Sequence, residues 1–232
     1  MNLVVFDIDG TLLRTSGVDD ECYAQALRET LGIEGISTDW GAYDHSTDGA
    51  ILAQLVRERL GRTATDADVE AMRARFVALL RDTAEQAPDR FAATPGAAEL
   101  LPELDARGWS VAIATGGWRA SATFKLEQAG LDVLDAPAAF ADDHPSREGI
   151  IGAATARARQ RANASFERCV YVGDGPWDVR AARNAGLGFV GIAMGNRART
   201  LRGAGATLIH DDFRDTKAFI RSLDRTSASA VR

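Results

Sequence analysis

The sequence predicts an α/β protein with a mainly parallel sheet and an all-helical segment inserted near its start. The chain opens on a strand-like apolar run, Leu3–Phe6, that ends in acidic residues. Residues 16–90 then carry apolar positions at helical spacing and show no strand pattern. From residue 109 onward, strand and helix patterns alternate, which is typical of a parallel sheet covered by helices on both faces.

The inserted segment contains three predicted helices separated by polar loops. Capping residues and the glycines that end helices mark their limits. The predicted helices run from Asp19–Asp20 to Gly32, from Ile51 to Gly61, and from Asp66 through Leu80. We therefore expect residues 16–90 to form one helical unit, inserted between residues 1–15 and 91–225 of the sheet-containing core.

The core is predicted from alternating short strands and helices. In chain order they are a helix from Pro95 to Gly108, the strand Trp109–Thr115, a helix to about Gly130, the strand Ala138–Ala141, a helix from Ser146, the strand Cys169–Val172, a helix over Asp178–Ala185, the strand Phe189–Ala193 and a strand near Thr207–Ile209. Residues 226–232 form a polar stretch that we expect to be a disordered tail.

Composition excludes several classes of function. The apolar fraction of 46% and charged fraction of 26% are those of an ordinary globular protein. A net charge of −6 argues against a nucleic-acid or membrane-surface binder. No apolar run approaches a membrane span and no leader peptide is recognisable. Cys22 and Cys169 form neither a disulfide framework nor a CxxC site. We expect a cytoplasmic monomer or homodimer.

Acidic and small polar residues follow three of the predicted strands. The carboxyl ends of parallel strands meet at one edge of a sheet, so these residues should converge. They are Asp7 and Asp9 after the first strand, Thr115, Gly116 and Gly117 after the second, and Asp174 and Asp178 after a later one. Packing alone does not justify acids at the end of a buried strand, because each carries a desolvation cost. A plain structural turn at Asp7–Gly10 is the alternative interpretation.

The pattern at Asp7 is not that of a calcium-binding loop. Such a loop needs an acid or amide at its fifth position and a glutamate at its twelfth, where this chain has Thr11 and Val18. Several acids in one crevice repel one another unless a cation lies among them. Oxygen donors without histidine or cysteine favour Mg²⁺ over Zn²⁺. One carboxylate can then act as a nucleophile and a neighbouring one as a general acid/base.

These motifs together resemble those of a known superfamily. Asp7-Ile8-Asp9-Gly10-Thr11-Leu12, then Thr115, then Gly173-Asp174 with Asp178, are similar to motifs I, II and IV of the haloacid dehalogenase superfamily. The resemblance implies a Rossmann-like three-layer core with a helical cap inserted between motifs I and II. The branch that it indicates is phosphatase-like, similar to phosphoglycolate phosphatases and β-phosphoglucomutases.

The resemblance also implies roles for individual residues. Asp7 would be the nucleophile, and Asp9 the general acid/base whose backbone carbonyl also binds magnesium. Asp174 would bind the metal directly, with Asp178 in support. The implied metal set is Asp7, Asp9, Asp174 and Asp178. The implied phosphate-binding set is Gly10, Thr11, Thr115, Gly116, Gly117 and Arg147.

Motif III is where the sequence departs from the superfamily. The usual lysine at the start of a helix is replaced by Arg147, while Lys125 lies about one element too early. A guanidinium is permanently charged and pairs well with phosphate oxygens, so we assign the role to Arg147. The alternative is that Arg147 only occupies a helix start, where a cation is mildly unfavourable.

Substrate specificity is expected to lie in the helical cap. His45, Thr47 and Asp48 fall in a polar loop suited to bind substrate hydroxyls, although Thr47 or Asp48 also suits a helix N-cap. The function implied is Mg²⁺-dependent hydrolysis of a small phosphorylated metabolite through an aspartyl-phosphate. A phosphosugar mutase and a non-catalytic phosphate-binding module are the alternatives. True dehalogenases lack an acid at Asp9, and phosphonatases usually need a cap lysine, whereas no lysine precedes Lys125.

Overall fold

The structure, a computed structural model, describes residues 1–226. A six-stranded sheet forms its centre. The strands are β1 (Asn2–Phe6), β2 (Trp109–Ala114), β3 (Ala138–Ala139), β4 (Arg168–Gly173), β5 (Gly188–Ile192) and β6 (Ile209–His210). Their order is β3-β2-β1-β4-β5-β6, and every neighbouring pair is parallel. The α/β fold with a parallel sheet is therefore confirmed.

Helices cover both faces of this sheet and form the inserted segment. Within residues 1–226 they are α1 (Ser16–Leu31), α2 (Asp48–Leu60), α3 (Asp66–Gln86), α4 (Ala97–Ala106), α5 (Arg119–Gln128), α6 (Arg147–Ala162), α7 (Pro176–Asn184), α8 (Gly195–Gly203) and α9 (Thr216–Arg225). Short 3₁₀ turns lie at Trp40–Ala42 and Pro88–Phe91. No described helix is long and apolar enough to cross a membrane.

The uninterrupted apolar character of β1 follows from its central place in the sheet. Val4 and Phe6 pack into one apolar cluster, while Leu3 and Val5 pack into another on the opposite face. Side chains of a strand alternate between faces, so a strand covered on both faces must be apolar at every position. This burial anchors the strand end that carries the first acidic pair.

The helical segment has its own apolar cluster, to which residues 91–225 contribute two buried side chains, Phe91 and Trp118. Tyr23, Leu52 and Phe76 are among its fully buried members, and Trp118 joins it from the start of α5. Between residues 16 and 90 the structure contains no strand. The boundaries of a cap at 16–90 and of a core at 1–15 and 91–225 remain predictions.

Several predicted bounds differ from the structure. The first helix begins at Ser16, so Asp19 lies in its first turn instead of capping it. Helices α8 and α9 were not predicted. Helix α8 has three arginines among its nine residues and buries only Ala198 and Leu201. Its sequence therefore shows little apolar periodicity. The predicted tail lies outside the described residues except for Thr226.

Candidate active site

The sheet order brings the acidic strand ends together. Strand β1 lies between β2 and β4, and Phe6 is in register with Ile113 on one side and Val172 on the other. The backbone N–H of Asp7 donates to the Val172 carbonyl at 2.9 Å, which extends the β1–β4 ladder by one residue. Asp7 and the residues that follow β2 and β4 consequently meet at one edge of the sheet.

Three buried carboxylates form a compact group at this edge. One oxygen from each of Asp7, Asp174 and Asp178 lies within 4.8 Å of the others. Burial raises the pKa of Asp7 to about 7, against the lowering effect of the Arg147 charge, and the charges of Asp178 and Asp9 add to the rise. Burial likewise raises the pKa of Asp174. Three clustered carboxylates, with no nitrogen or sulfur donor in the group, fit a hard divalent cation such as Mg²⁺.

Asp178 also holds the loop between β4 and α7. Its Oδ2 accepts hydrogen bonds from the backbone N–H groups of Asp174 (3.1 Å) and Gly175 (2.9 Å). A Cβ at Gly173 would lie 2.6 Å from the Asp178 carboxylate, so the loop tolerates no side chain at that position. This aspartate therefore fixes the direction in which the motif IV backbone leaves the strand.

Arg147 reaches the predicted nucleophile. From the first turn of α6, its Nη1 lies 3.3 Å from Asp7 Oδ1 and 2.9 Å from Asp178 Oδ1. Its Nε donates to the Ser46 carbonyl at 2.9 Å, a contact with the loop before α2. The guanidinium thus lies in the position where it can offset charge on Asp7 and on a bound phosphoryl group.

Lys125, which lies outside motifs I to IV, also belongs to the site because it contacts Asp9. Its fully buried ammonium lies 2.6 Å from Asp9 Oδ2 and also pairs with Asp19 of α1. The other Asp9 oxygen accepts a hydrogen bond from the Thr15 hydroxyl at 2.5 Å. A signal existed in the sequence, because this lysine occupies the apolar face of α5 beside Ala122 and Leu126, which are also buried.

Four of the predicted phosphate-binding residues line a cavity beside the carboxylates, namely Thr115, Gly116, Gly117 and Arg147, whereas Thr11 does not line it. The Thr115 hydroxyl accepts from the Gly117 N–H at 3.3 Å. Thr11 is fully buried and its hydroxyl has no hydrogen-bond partner. Gly10 has φ +77°, and a Cβ there would lie 2.0 Å from Asp174 Oδ2. Only glycine fits this approach of the first loop to the motif IV carboxylate.

The three predicted cap residues have different surroundings. Asp48 lines the same cavity, between the sheet and the helical segment. Its Oδ2 accepts a hydrogen bond from the Trp118 N–H at 2.9 Å, and burial raises its pKa to about 7. Thr47 is the N-cap residue of α2, and its hydroxyl donates to the Pro145 carbonyl at 2.7 Å. His45 is exposed and does not line the cavity.

A cavity of about 140 Å³ lies between these groups and the helical segment. Asp7, Asp9 and Asp174 line it from the sheet side, and Tyr23, Trp40 and Asp48 line it from the helical side. The Asp48 N–H also donates to the Gly116 carbonyl at 2.8 Å, which docks α2 on the loop after β2. A small molecule in this cavity would contact both the carboxylate group and the helices.

Comparison with known proteins identifies the family of the chain. The model of the haloacid dehalogenase-like hydrolase family matches residues 1–186. The chain belongs to this family. This match confirms the resemblance to the haloacid dehalogenase superfamily that the motifs indicated. The chain is therefore an enzyme of this hydrolase family.

Individual relatives cover nearly the whole enzyme. It is 32% identical over 221 residues to phosphoglycolate phosphatase from Rhodospirillum rubrum, which covers 90% of this chain and 87% of that protein. It is 30% identical over 216 residues to phosphonoacetaldehyde hydrolase from Bordetella pertussis, with 87% and 75% covered. A solved hydrolase structure from Pseudomonas syringae has the same fold, with a TM-score of 0.73 at 23% identity and 96% and 99% covered.

Proposed function

We propose that this hydrolase cleaves small phosphate monoesters through an aspartyl-phosphate formed on Asp7, with Mg²⁺ as its cofactor. The observation that carries the proposal is the placement of the Arg147 guanidinium against Asp7, beside the buried carboxylates of Asp174 and Asp178. The proposed nucleophile, a guanidinium able to pair with phosphate and carboxylates able to bind a cation therefore lie close together, which supports the proposal. The phosphatase name of the Rhodospirillum rubrum relative supports the same chemistry.

In the first step, a carboxylate oxygen of Asp7 attacks phosphorus while the bond from phosphorus to the ester oxygen breaks. Asp9, when it carries a proton, donates that proton to the departing alcohol oxygen. In the second step, water attacks the phosphorus of the aspartyl-phosphate and gives a proton to Asp9, which releases inorganic phosphate and restores Asp7. Thr115 and Arg147, which both line the cavity, hold the phosphoryl oxygens throughout.

Asp7, Asp174 and the Asp9 backbone carbonyl would hold Mg²⁺, and Asp178 would keep the motif IV loop in place. When bound, the metal supplies positive charge that offsets the charge of the phosphoryl oxygens and of the carboxylates. Arg147, at the start of α6, also offsets negative charge on these oxygens, because hydrogen bonds to Asp178 and the Ser46 carbonyl hold its guanidinium in place. Arg147 therefore takes the place of the usual motif III lysine, and its guanidinium is held by more contacts than an ammonium could make.

The proposal is tested by hydrolysis of p-nitrophenyl phosphate with Mg²⁺, with EDTA, and by the Asp7→Asn variant. We expect Mg²⁺-dependent turnover that is lost with EDTA and lost in Asp7→Asn. Asp105→Asn on the exposed face of α4 is the matched control and should keep wild-type activity. Turnover in Asp7→Asn, or none in the wild type with saturating Mg²⁺, would contradict the proposal. Isomerisation of a phosphosugar without phosphate release would identify a mutase instead.

A further inference from the structure

The helical side of the cavity is rich in carboxylates. Asp19, Asp20 and Asp48 all line it. A Cβ at Gly117 would lie 3.8 Å from Asp48 Oδ2 and 3.9 Å from Asp9 Oδ2, so Asp48 and the proposed general acid/base border the same glycine. The leaving group of a substrate begins at the oxygen that Asp9 protonates. It would therefore extend toward these carboxylates.

The cations near the cavity are already paired with acids. Among the described residues that line it, the cationic ones are Arg147 and Arg197. Arg147 pairs with Asp7 and Asp178, and Arg197 pairs with Asp174. Burial raises the pKa of Asp20, and the Arg197 charge offsets part of that rise without forming an ion pair with it. Lys125 is fully buried between Asp9 and Asp19. Asp20 and Asp48 form no ion pair with the described residues, so a carboxylate on the leaving group would meet two acids that no cation pairs with.

Aromatic rings stand beside these acids. Tyr23 and Trp40 line the cavity, with ring centroids 5.7 Å apart at 79°. The Trp40 Nε1 donates to Asp20 Oδ1 at 2.7 Å, which holds that carboxylate at the cavity and leaves its second oxygen available. Tyr23 is buried and its hydroxyl donates to the Asp48 carbonyl, so Trp40 is the ring available to a ligand. An aromatic ring beside a carboxylate is a favourable environment for an organic cation.

From this arrangement, and resting on the proposed function, we propose that the enzyme selects phosphate monoesters whose leaving group carries an ammonium group. Asp20 and Trp40 are the specificity-determining residues. Esters whose leaving group carries a carboxylate, such as phosphoglycolate with its glycolate leaving group, are disfavoured by repulsion from the acidic side of the cavity. The selectivity therefore differs from the one that the name of the Rhodospirillum rubrum relative suggests.

Three substrates of nearly equal size test this selectivity. Phosphoethanolamine, 2-hydroxyethyl phosphate and 2-phosphoglycolate have two-carbon leaving groups whose second carbon is an aminomethyl, a hydroxymethyl or a carboxylate carbon. We expect kcat/KM to fall in that order, with a difference of about tenfold or more between the first and the last. Equal or faster hydrolysis of phosphoglycolate than of 2-hydroxyethyl phosphate would overturn the inference. A slower reaction of phosphoethanolamine than of 2-hydroxyethyl phosphate would overturn it as well.

The variant Asp20→Asn connects the selectivity to its residue. It should reduce the preference for phosphoethanolamine over phosphoglycolate by about threefold to tenfold, because one negative charge leaves the cavity. Glu70→Gln, on the exposed face of α3, removes the same charge elsewhere in the helical segment and should leave the ratio unchanged. An unchanged ratio in Asp20→Asn, with thermal unfolding like that of the wild type, would contradict the assignment.

Hydrolysis of p-nitrophenyl phosphate separates the two proposals. If p-nitrophenyl phosphate is hydrolysed and the three alkyl phosphates are cleaved in another order, or not at all, only the selectivity is overturned. If the wild type hydrolyses none of the four esters in saturating Mg²⁺, the proposed function fails and the selectivity fails with it.

Discussion

Replacing the buried Lys125 by methionine should destabilise the enzyme strongly. The ammonium is fully buried and pairs with Asp9 and Asp19, whose side chains are 18% and 17% exposed. Burial by itself lowers the pKa of an ammonium, but the charges of Asp19 and Asp9 outweigh that effect and raise the pKa of Lys125, so the lysine is charged. Methionine retains the aliphatic contacts of the side chain but removes the charge.

The expected loss follows from the two carboxylates left without their cation. Removing one partner of a buried ion pair costs about 3–5 kcal/mol, and the partial exposure of both acids favours the lower end, ~3 kcal/mol. A protein of this kind has only about 5–15 kcal/mol of stability, so the change would be a large fraction of the total. Because Lys125 joins α5 to the first turn of α1 and to Asp9, the loss should also displace the proposed general acid/base.

Equilibrium unfolding in urea, followed by circular dichroism at pH 7.5, measures this loss. Lys217→Met is the matched control, because Lys217 is exposed on α9 and should change the unfolding free energy by less than about 0.5 kcal/mol. Adding Asp19→Asn to Lys125→Met should recover more than about 1 kcal/mol, since one unpaired acid is removed. A Lys125→Met variant as stable as Lys217→Met would refute the reasoning.

The remaining predictions concern the phosphate cation, the first loop and the cavity. Arg147→Lys should lower kcat/KM for p-nitrophenyl phosphate by about tenfold to a hundredfold, since an ammonium cannot keep the three contacts of the guanidinium. Gly10→Ala should abolish hydrolysis because its Cβ collides with Asp174, whereas Gly61→Ala, left-handed but in open space, should only lose about 1 kcal/mol of stability. Asp48→Asn should become more stable relative to the wild type as pH rises from 5 to 8, measured by urea unfolding.

The sign of the Asp48 effect follows from its raised pKa. Folding moves this pKa from 3.8 to about 7, so the folded enzyme binds the proton more tightly than the unfolded chain does. The stabilisation is complete below pH 3.8 and is lost as pH rises through about 7. An asparagine does not titrate and avoids this loss. A difference in unfolding free energy between Asp48→Asn and the wild type that does not change with pH would contradict this prediction. Wild-type activity in Arg147→Lys or in Gly10→Ala would contradict the prediction made for that variant.

Much of the site could be predicted because strand ends carry local information. Asp7, Thr115 and Asp174 each follow an apolar run that is recognisable as a strand, and parallel strands present their carboxyl ends at one edge. Their chain order and the parallel topology were enough to predict that they meet. Arg147 could be assigned from its position at a helix start, and the structure places its guanidinium against Asp7.

The sequence by itself determined the fold class, the family and the residue types that end the central strands, because these depend on local periodicity and on short motifs. Only the tertiary structure decided that Lys125 pairs with Asp9, since the two are 116 residues apart and no local pattern records the contact. The tertiary structure also decided that Asp48 lines the cavity, whereas the Thr47 hydroxyl donates a hydrogen bond to the Pro145 carbonyl. Thr47 and Asp48 are neighbours at the start of α2, and their side chains point in directions that depend on what packs against them. These contacts form only when the helical segment docks on the sheet.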